Sequence, residues 1–133
     1  MKYYLDTNII IYAIKGQYPA IEEHFSQIPS QSIVIPTIVL AEIEYGARKS
    51  KDYYATINIY NQFTSVFDKA YFSEKAISFY GKIRSELEHK GELIGPNDLI
   101  IASIVLAENG ILVTNNTKEF SRIAGLQLEN WTK

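Results

Sequence analysis

Apolar and polar positions alternate in blocks along this chain of 133 residues, and most blocks read as a strand or a helix. Lys2–Leu5 is a short strand candidate. Ile9–Lys15 carries on as a helical turn that stops near Gly16 and Pro19. Ala20–Gln27 reads as helical. Ser32–Ile35 is a compact β-branched run closed by Pro36, the pattern of a buried strand. Thr37 is placed to cap a helix running to about Lys49. Its row at i, i+3, i+4, i+7 spacing is Ile38, Ala41, Glu42 and Tyr45, so a glutamate stands in an otherwise apolar stripe. A second helix, about Tyr53–Thr64, follows after a tight connection, and the two form an αα-hairpin. Ser65–Phe67 reads as a short strand. Ser73–Lys90 is a long helix, capped by Ser73 and stopped by Gly91. Pro96, Asn97 and Asp98 open the next helix, which ends at Asn109-Gly110. Ile111–Thr114 is a strand, Thr117–Ile123 a short helix and Leu126–Leu128 a last edge strand.

Strands and helices alternate throughout, and no linker, repeat or low-complexity segment divides them. That order predicts one α/β domain over residues 1–133, built on a mostly parallel sheet covered on both faces. The length fits a single domain and is enough to bury a core without staples. Such sheets place their sites at the carboxyl ends of the strands. Asp6 directly follows the first strand, and Asn115 and Asn116 directly follow the Ile111–Thr114 strand. They are candidates for one crevice.

Four acids stand out. Asp6 ends a strand in Leu5-Asp6-Thr7-Asn8-Ile9. Turn or cap chemistry explains an aspartate there, but Thr7 or Asn8 would serve as well. Glu42 interrupts an apolar stripe, where a glutamate is rarely buried without a partner; a rim position reaching water is the ordinary alternative. Asp98 lies in a first helical turn, where an acid complements the dipole. Glu119 stands three residues after Asn116 at capping-box spacing. Each has a structural explanation alone. Together, carboxylates converging near strand ends would repel one another unless a cation sat among them. All-oxygen donors select hard ions such as Mg²⁺ or Mn²⁺, which polarise phosphoryl groups and activate water without any histidine.

Composition changes this picture little. Hydrophobic residues make up 47% of the chain and charged residues 21%, an ordinary globular balance. There is no cysteine, which excludes thiolate chemistry and disulfides and fits a reducing, cytoplasmic setting. No signal peptide opens the chain. Neither of the longest apolar runs, Ile33–Ala41 and Leu99–Ala107, can span a bilayer. The net charge of −2 argues mildly against nucleic acid unless cations neutralise an acidic site. Arg48, Lys49 and Arg84 are weak candidates for phosphate contact, and Arg48 and Lys49 are equally explained by a helix end. His24 and His89 read as solvated helix residues. Gly-rich phosphate loops and a nucleophile-elbow serine are absent.

The segments Leu5–Ile9, Ala41–Ala47, Ile94–Ala102 and Leu112–Phe120 resemble the PIN-domain family. In order and spacing, with Leu128-Glu129-Asn130-Trp131 at the end, they look like VapC-type toxins of bacterial toxin–antitoxin pairs. The resemblance runs from Tyr3 to Trp131. It implies a five-stranded parallel sheet flanked by helices and Mg²⁺-dependent RNA hydrolysis. It assigns metal ligation to Asp6, Glu42 and Asp98. The family's fourth acid often stands where this chain has Asn116, so Glu119 is the substitute candidate. Thr7, Asn8, Thr114 and Asn116 are the neutral neighbours expected to support the acids. The resemblance also implies transfer RNA as substrate, a small antitoxin over the acidic crevice, a homodimer and no membrane. Tyr53, Tyr54 and Tyr60 on the αα-hairpin are the residues expected between chains. Competing readings are a PIN nuclease of RNA processing without an antitoxin, and an idle PIN fold used for binding. The retained acids oppose the idle fold. A receiver domain using Asp6 is opposed by the lack of a lysine after Ile111–Thr114.

Overall fold

The computed structural model describes every residue from Met1 to Lys133. The elements are β1 (Tyr3–Leu5), α1 (Thr7–Lys15), α2 (Pro19–Gln27), β2 (Ile33–Pro36), α3 (Thr37–Arg48) and α4 (Tyr53–Thr64). They continue with β3 (Asp68–Ala70), α5 (Glu74–Lys90), α6 (Pro96–Ala107), β4 (Ile111–Val113), α7 (Thr117–Phe120) and β5 (Gln127–Glu129). The five strands form one sheet in the order β3-β2-β1-β4-β5, and every pairing is parallel. β2 and β4 are buried along their whole length, which is why they read as unbroken apolar runs.

The chain moves outward from β1 to β2 and β3, then crosses back to β4 on the other side of β1. With right-handed crossovers, α1 to α4 cover one face and α5 to α7 the other. The direction reverses between β1 and β4. In open α/β sheets the crevice outside the strand ends at such a reversal is the natural ligand site. α6 lies in the heart of the domain. Leu99, Ile101, Ala102, Ile104 and Val105 are all buried, and the Ser103 hydroxyl is satisfied by the Leu99 carbonyl at 2.6 Å. No helix is long and apolar enough to cross a membrane.

Several local expectations are corrected. The third strand is Asp68–Ala70, not Ser65–Phe67. Phe67 is buried against Phe25 and Phe63, while Asp68 and Lys69 form an edge strand paired on one side only. Such an edge tolerates polar residues, so no apolar run marks it. The buried row of α3 is Val39, Ile43 and Ala47, not Ile38, Ala41, Glu42 and Tyr45. Of the second row only Ile38 packs against the core; Glu42 is half-buried, and Ala41 and Tyr45 are exposed. His24 is not simply solvated: its ring stacks on buried Trp131 at 5.0 Å. Of the hairpin tyrosines, Tyr53 donates to Glu44 at 3.0 Å and Tyr60 is half-buried, whereas Tyr54 is 79% exposed.

The α6–β4 turn wraps the ring of Tyr4. Its hydroxyl donates to Glu108 at 2.5 Å, and Asn109 takes the left-handed conformation at φ +54°. Gly110 follows, and any Cβ there would overlap the Tyr4 ring. Gly110→Ala should therefore lower stability by about 1–3 kcal/mol, the usual cost of overpacking. Gly81→Ala, in mid-α5 with nothing within 4 Å, should be neutral or raise stability by about 0.5–1 kcal/mol. Urea melts of the two variants check the contrast, and equal effects would contradict it.

Candidate active site

Asp6 follows β1, and its position there is dictated by backbone pairing. Its amide donates to the Val113 carbonyl at 2.9 Å, extending the β1–β4 ladder by one bond. The side chain, only 8% exposed, then caps α1 by accepting from the Thr7 amide at 2.8 Å. Its other oxygen accepts from the Thr114 hydroxyl at 2.8 Å, across the reversal point of the sheet. Cap chemistry and site chemistry thus share one residue. The cap uses one lone pair of a carboxylate that has about four.

Glu42 comes from the outward row of α3. One oxygen accepts from the Thr7 hydroxyl at 2.6 Å, and the other lies 3.4 Å from the Asn97 amide nitrogen. Thr7 therefore ties Asp6 to Glu42, by its amide on one side and its hydroxyl on the other. Asp98 sits in the first turn of α6, beside Asn97, and its carboxyl makes no hydrogen bond within the chain.

Asn116 and Glu119 do not form the expected capping box. The Asn116 amide, which a capping-box glutamate would accept from, is taken by the Thr114 hydroxyl at 3.0 Å. The Asn116 side chain makes no cap bond and instead donates to Glu119 at 3.2 Å. Glu119 is thus tied to the Thr114–Asp6 link through Asn116. Of the remaining candidates, Asn8 is exposed and contacts none of the acids. Arg48 pairs with Glu44 at 2.9 Å and lies over the Tyr53 ring; Arg84 pairs with Glu88 and Tyr80 on its own helix. Lys49 lines a cleft with Thr7, Glu42 and Asn97. Asn97 itself was not singled out from sequence. It stands in a helix-opening segment, where an asparagine needs no further explanation.

The electrostatics follow from burial without a cation. Neither ion pair in the structure involves any of the four acids. Burial pushes the Asp6 carboxyl above its ordinary range. Hydrogen bonds from Thr114 and Thr7 pull it back, and repulsion from Glu42 raises it again. The Asp98 carboxyl is pushed up to about 6, first by burial and then by the charges of Asp6, Glu42 and Glu119. That repulsion places Asp6, Glu42 and Glu119 within electrostatic reach of Asp98. No three of them come together as closely as the ligands of a bound ion do. Their donors are all oxygen, the set that a hard divalent cation takes.

A raised carboxyl favours the folded state while it is protonated. For Asp98 that contribution is complete below the ordinary 3.8 and is lost as the pH rises through about 6. With half of the group open to solvent screening, the effect is about 1–2 kcal/mol. In the absence of divalent cations, Asp98→Asn should match the parent at pH 4 and exceed its stability by that amount at pH 7. Denaturant melts across this range test it, and a difference independent of pH would contradict it.

Comparison with known proteins agrees with this architecture. The PIN domain family model matches residues 3–126. Ribonuclease VapC2 of Rickettsia felis is 46% identical over the full length of both chains. The tRNA(fMet)-specific endonuclease VapC of Shigella flexneri is 36% identical over 99% of both. The solved structure of VapBC2 from Rickettsia felis, bound to a DNA fragment from its promoter, matches with a TM-score of 0.92. It shares 45% identity, over 98% of this chain and 99% of that one. A five-stranded parallel sheet with acids at its reversal point, and full-length relatives on both counts, place this chain in the PIN-domain family, among the VapC ribonucleases.

Proposed function

We propose that this chain is the toxin of a toxin–antitoxin pair, an endoribonuclease that cuts transfer RNA with Mg²⁺ held by Asp6, Glu42 and Asp98. The observation that carries the reading is the group of acids at the β1–β4 reversal with no cationic side chain paired to any of them. Glu119, aligned by Asn116, is the fourth acid of the set. The donors are all oxygen, which suits Mg²⁺ and also Mn²⁺. Such an ion, when bound, polarises the phosphoryl oxygens and steadies the leaving oxygen. The chain's own residues orient the donors: Thr114 and Thr7 fix Asp6, while Thr7 and Asn97 fix Glu42. Transfer RNA is supported by the name of the Shigella flexneri relative. A small antitoxin covering the acidic crevice is supported by the VapBC pairing of the Rickettsia felis relative.

Neither histidine touches the acids: His24 stacks on Trp131, and His89 bonds the Ser85 carbonyl. No histidine is therefore available at the acids as a base for the RNA 2′-hydroxyl. In the metal reading water would be the nucleophile, and products should carry a 5′-phosphate and a 3′-hydroxyl. Mapping of cut ends on transfer RNA tests this, and a cyclic phosphate end would refute it. Asp6→Asn and Asp98→Asn should lower cleavage by at least about 100-fold while the protein stays folded, since ligand charge is lost and shape is kept. Cleavage that survives EDTA, or survives in Asp98→Asn, ends the metal reading. Glu119→Gln keeps the Asn116 bond and loses only charge; unchanged activity would remove Glu119 from the set.

The same reading includes pairing of two copies through the α3–α4 hairpin, where Tyr54 and Ile59 are exposed. Aromatic residues are enriched at such interfaces. Light scattering should give a dimer mass that falls to the monomer in Tyr54→Ser combined with Ile59→Ser. A parent that remains a monomer at high concentration would exclude it.

A further inference from the structure

α3 carries two rows of side chains. Val39, Ile43 and Ala47 face the core, and Ala41, Tyr45 and Lys49 stand on the outer side beside Glu42. The outer row lines a cleft of about 510 Å³ that also includes Thr7, Glu42 and Asn97. One side of this cleft is therefore Glu42, with the Thr7 and Asn97 that hold it, and another is the Tyr45 ring. Tyr45 is 65% exposed, its hydroxyl makes no hydrogen bond, and no other aromatic ring packs on it. The small side chain of Ala41, one turn earlier, leaves the space beside the ring open.

Lys49 differs from its neighbour Arg48. Arg48 is spent on Glu44 and on the Tyr53 ring. Lys49 has no carboxylate partner, and its ammonium rests 4.7 Å from the centre of the Tyr45 ring. An exposed cation–π contact is worth only about 0.5–1 kcal/mol and is readily exchanged for a phosphate. The chain is acidic overall, with a net charge of −2, so an RNA strand reaching the carboxylates needs a local cation and an uncharged foothold. Unpaired bases are commonly held by stacking on aromatic side chains, while cations follow the backbone.

We propose that Tyr45 and Lys49 form a nucleotide subsite beside the carboxylates, in which an unpaired base of the RNA stacks on Tyr45 and the adjoining phosphate is held by Lys49. The base takes the ring face that the ammonium now covers, and the ammonium moves to the phosphate. The subsite rests on the ribonuclease reading for its role, and its binding is measurable without cleavage.

The test uses single-stranded RNA oligonucleotides, one intact and a series each lacking a single base. Tyr45→Ala should raise KM roughly tenfold and leave kcat within about twofold, the scale of one lost stacking contact. Tyr45→Trp should restore KM, and Lys49→Ala should raise KM while lowering the salt slope by about one. On the oligonucleotide whose missing base is the stacked one, Tyr45→Ala should cost nothing further. Anisotropy of the same oligonucleotides in EDTA reads binding alone. Binding that depends on Tyr45 in a protein that cuts no RNA keeps the subsite and overturns the nuclease reading. Cleavage and binding that are unchanged in Tyr45→Ala overturn the subsite and leave the nuclease reading standing. A Tyr45→Ala penalty that is the same for every oligonucleotide also overturns it. A protein partner that binds the variant less well, with RNA binding unchanged, would assign this face to that partner instead.

Discussion

A carboxylate buried at the end of the central strand, with other carboxylates near it and no cation paired to it, is the constraint around which this domain is arranged. Asp6 cannot move, because its amide completes the β1–β4 ladder and its side chain caps α1. Its charge is managed by neutral donors instead of an arginine or lysine. The Thr114 hydroxyl is the pivot. It donates to Asp6 and accepts from the Asn116 amide, and Asn116 in turn holds Glu119. One hydroxyl thus connects the ends of two strands and the start of α7.

The choice of neutral donors has an energetic consequence. A salt bridge would orient an acid and also cancel its charge, which would weaken it as a ligand for a hard ion. Hydroxyl and amide donors orient without cancelling. The cost is burial of charge and, after it, repulsion in the folded state, and both push the Asp6 and Asp98 carboxyls upward. Like-charge repulsion of this kind lowers stability in the ion-free protein and is relieved when a cation binds. The buried apolar core carries that cost. α6, which supplies Asp98 at its exposed end, is buried along most of its length behind that end.

Much of this architecture was legible because buried parallel strands and capped helices leave strong marks. Ile33–Ile35 and Ile111–Val113 are unbroken apolar runs, and Ser73, Gly91 and Pro96 punctuate helices where they were expected to. The signals failed where packing was one-sided or where two patterns overlapped. The edge strand Asp68–Ala70 has no apolar run because only one neighbour pairs with it. In α3 both the core row and the cleft row are largely apolar, so periodicity alone selected the wrong phase. Glu42 was noticed for standing in a core stripe, whereas its row faces the cleft. The Asn116–Glu119 spacing fitted a capping box. Only the three-dimensional structure shows that the Thr114 hydroxyl had already taken the amide which that box requires.

The sign of the field at the site ties the ion and the RNA together. An RNA phosphate approaching unscreened acids meets repulsion, and the unpaired ammonium of Lys49 offsets only part of it. A divalent cation bound among the acids would reverse the local field, so on the proposed reading RNA should bind the ion-loaded protein more tightly than the ion-free protein. By linkage the reverse holds to the same factor: RNA should tighten the hold on the ion. Neither ligand then has to bind strongly alone. An ion held by Asp6, Glu42 and Asp98 would keep waters in the free protein, and the substrate phosphate could supply further oxygen partners.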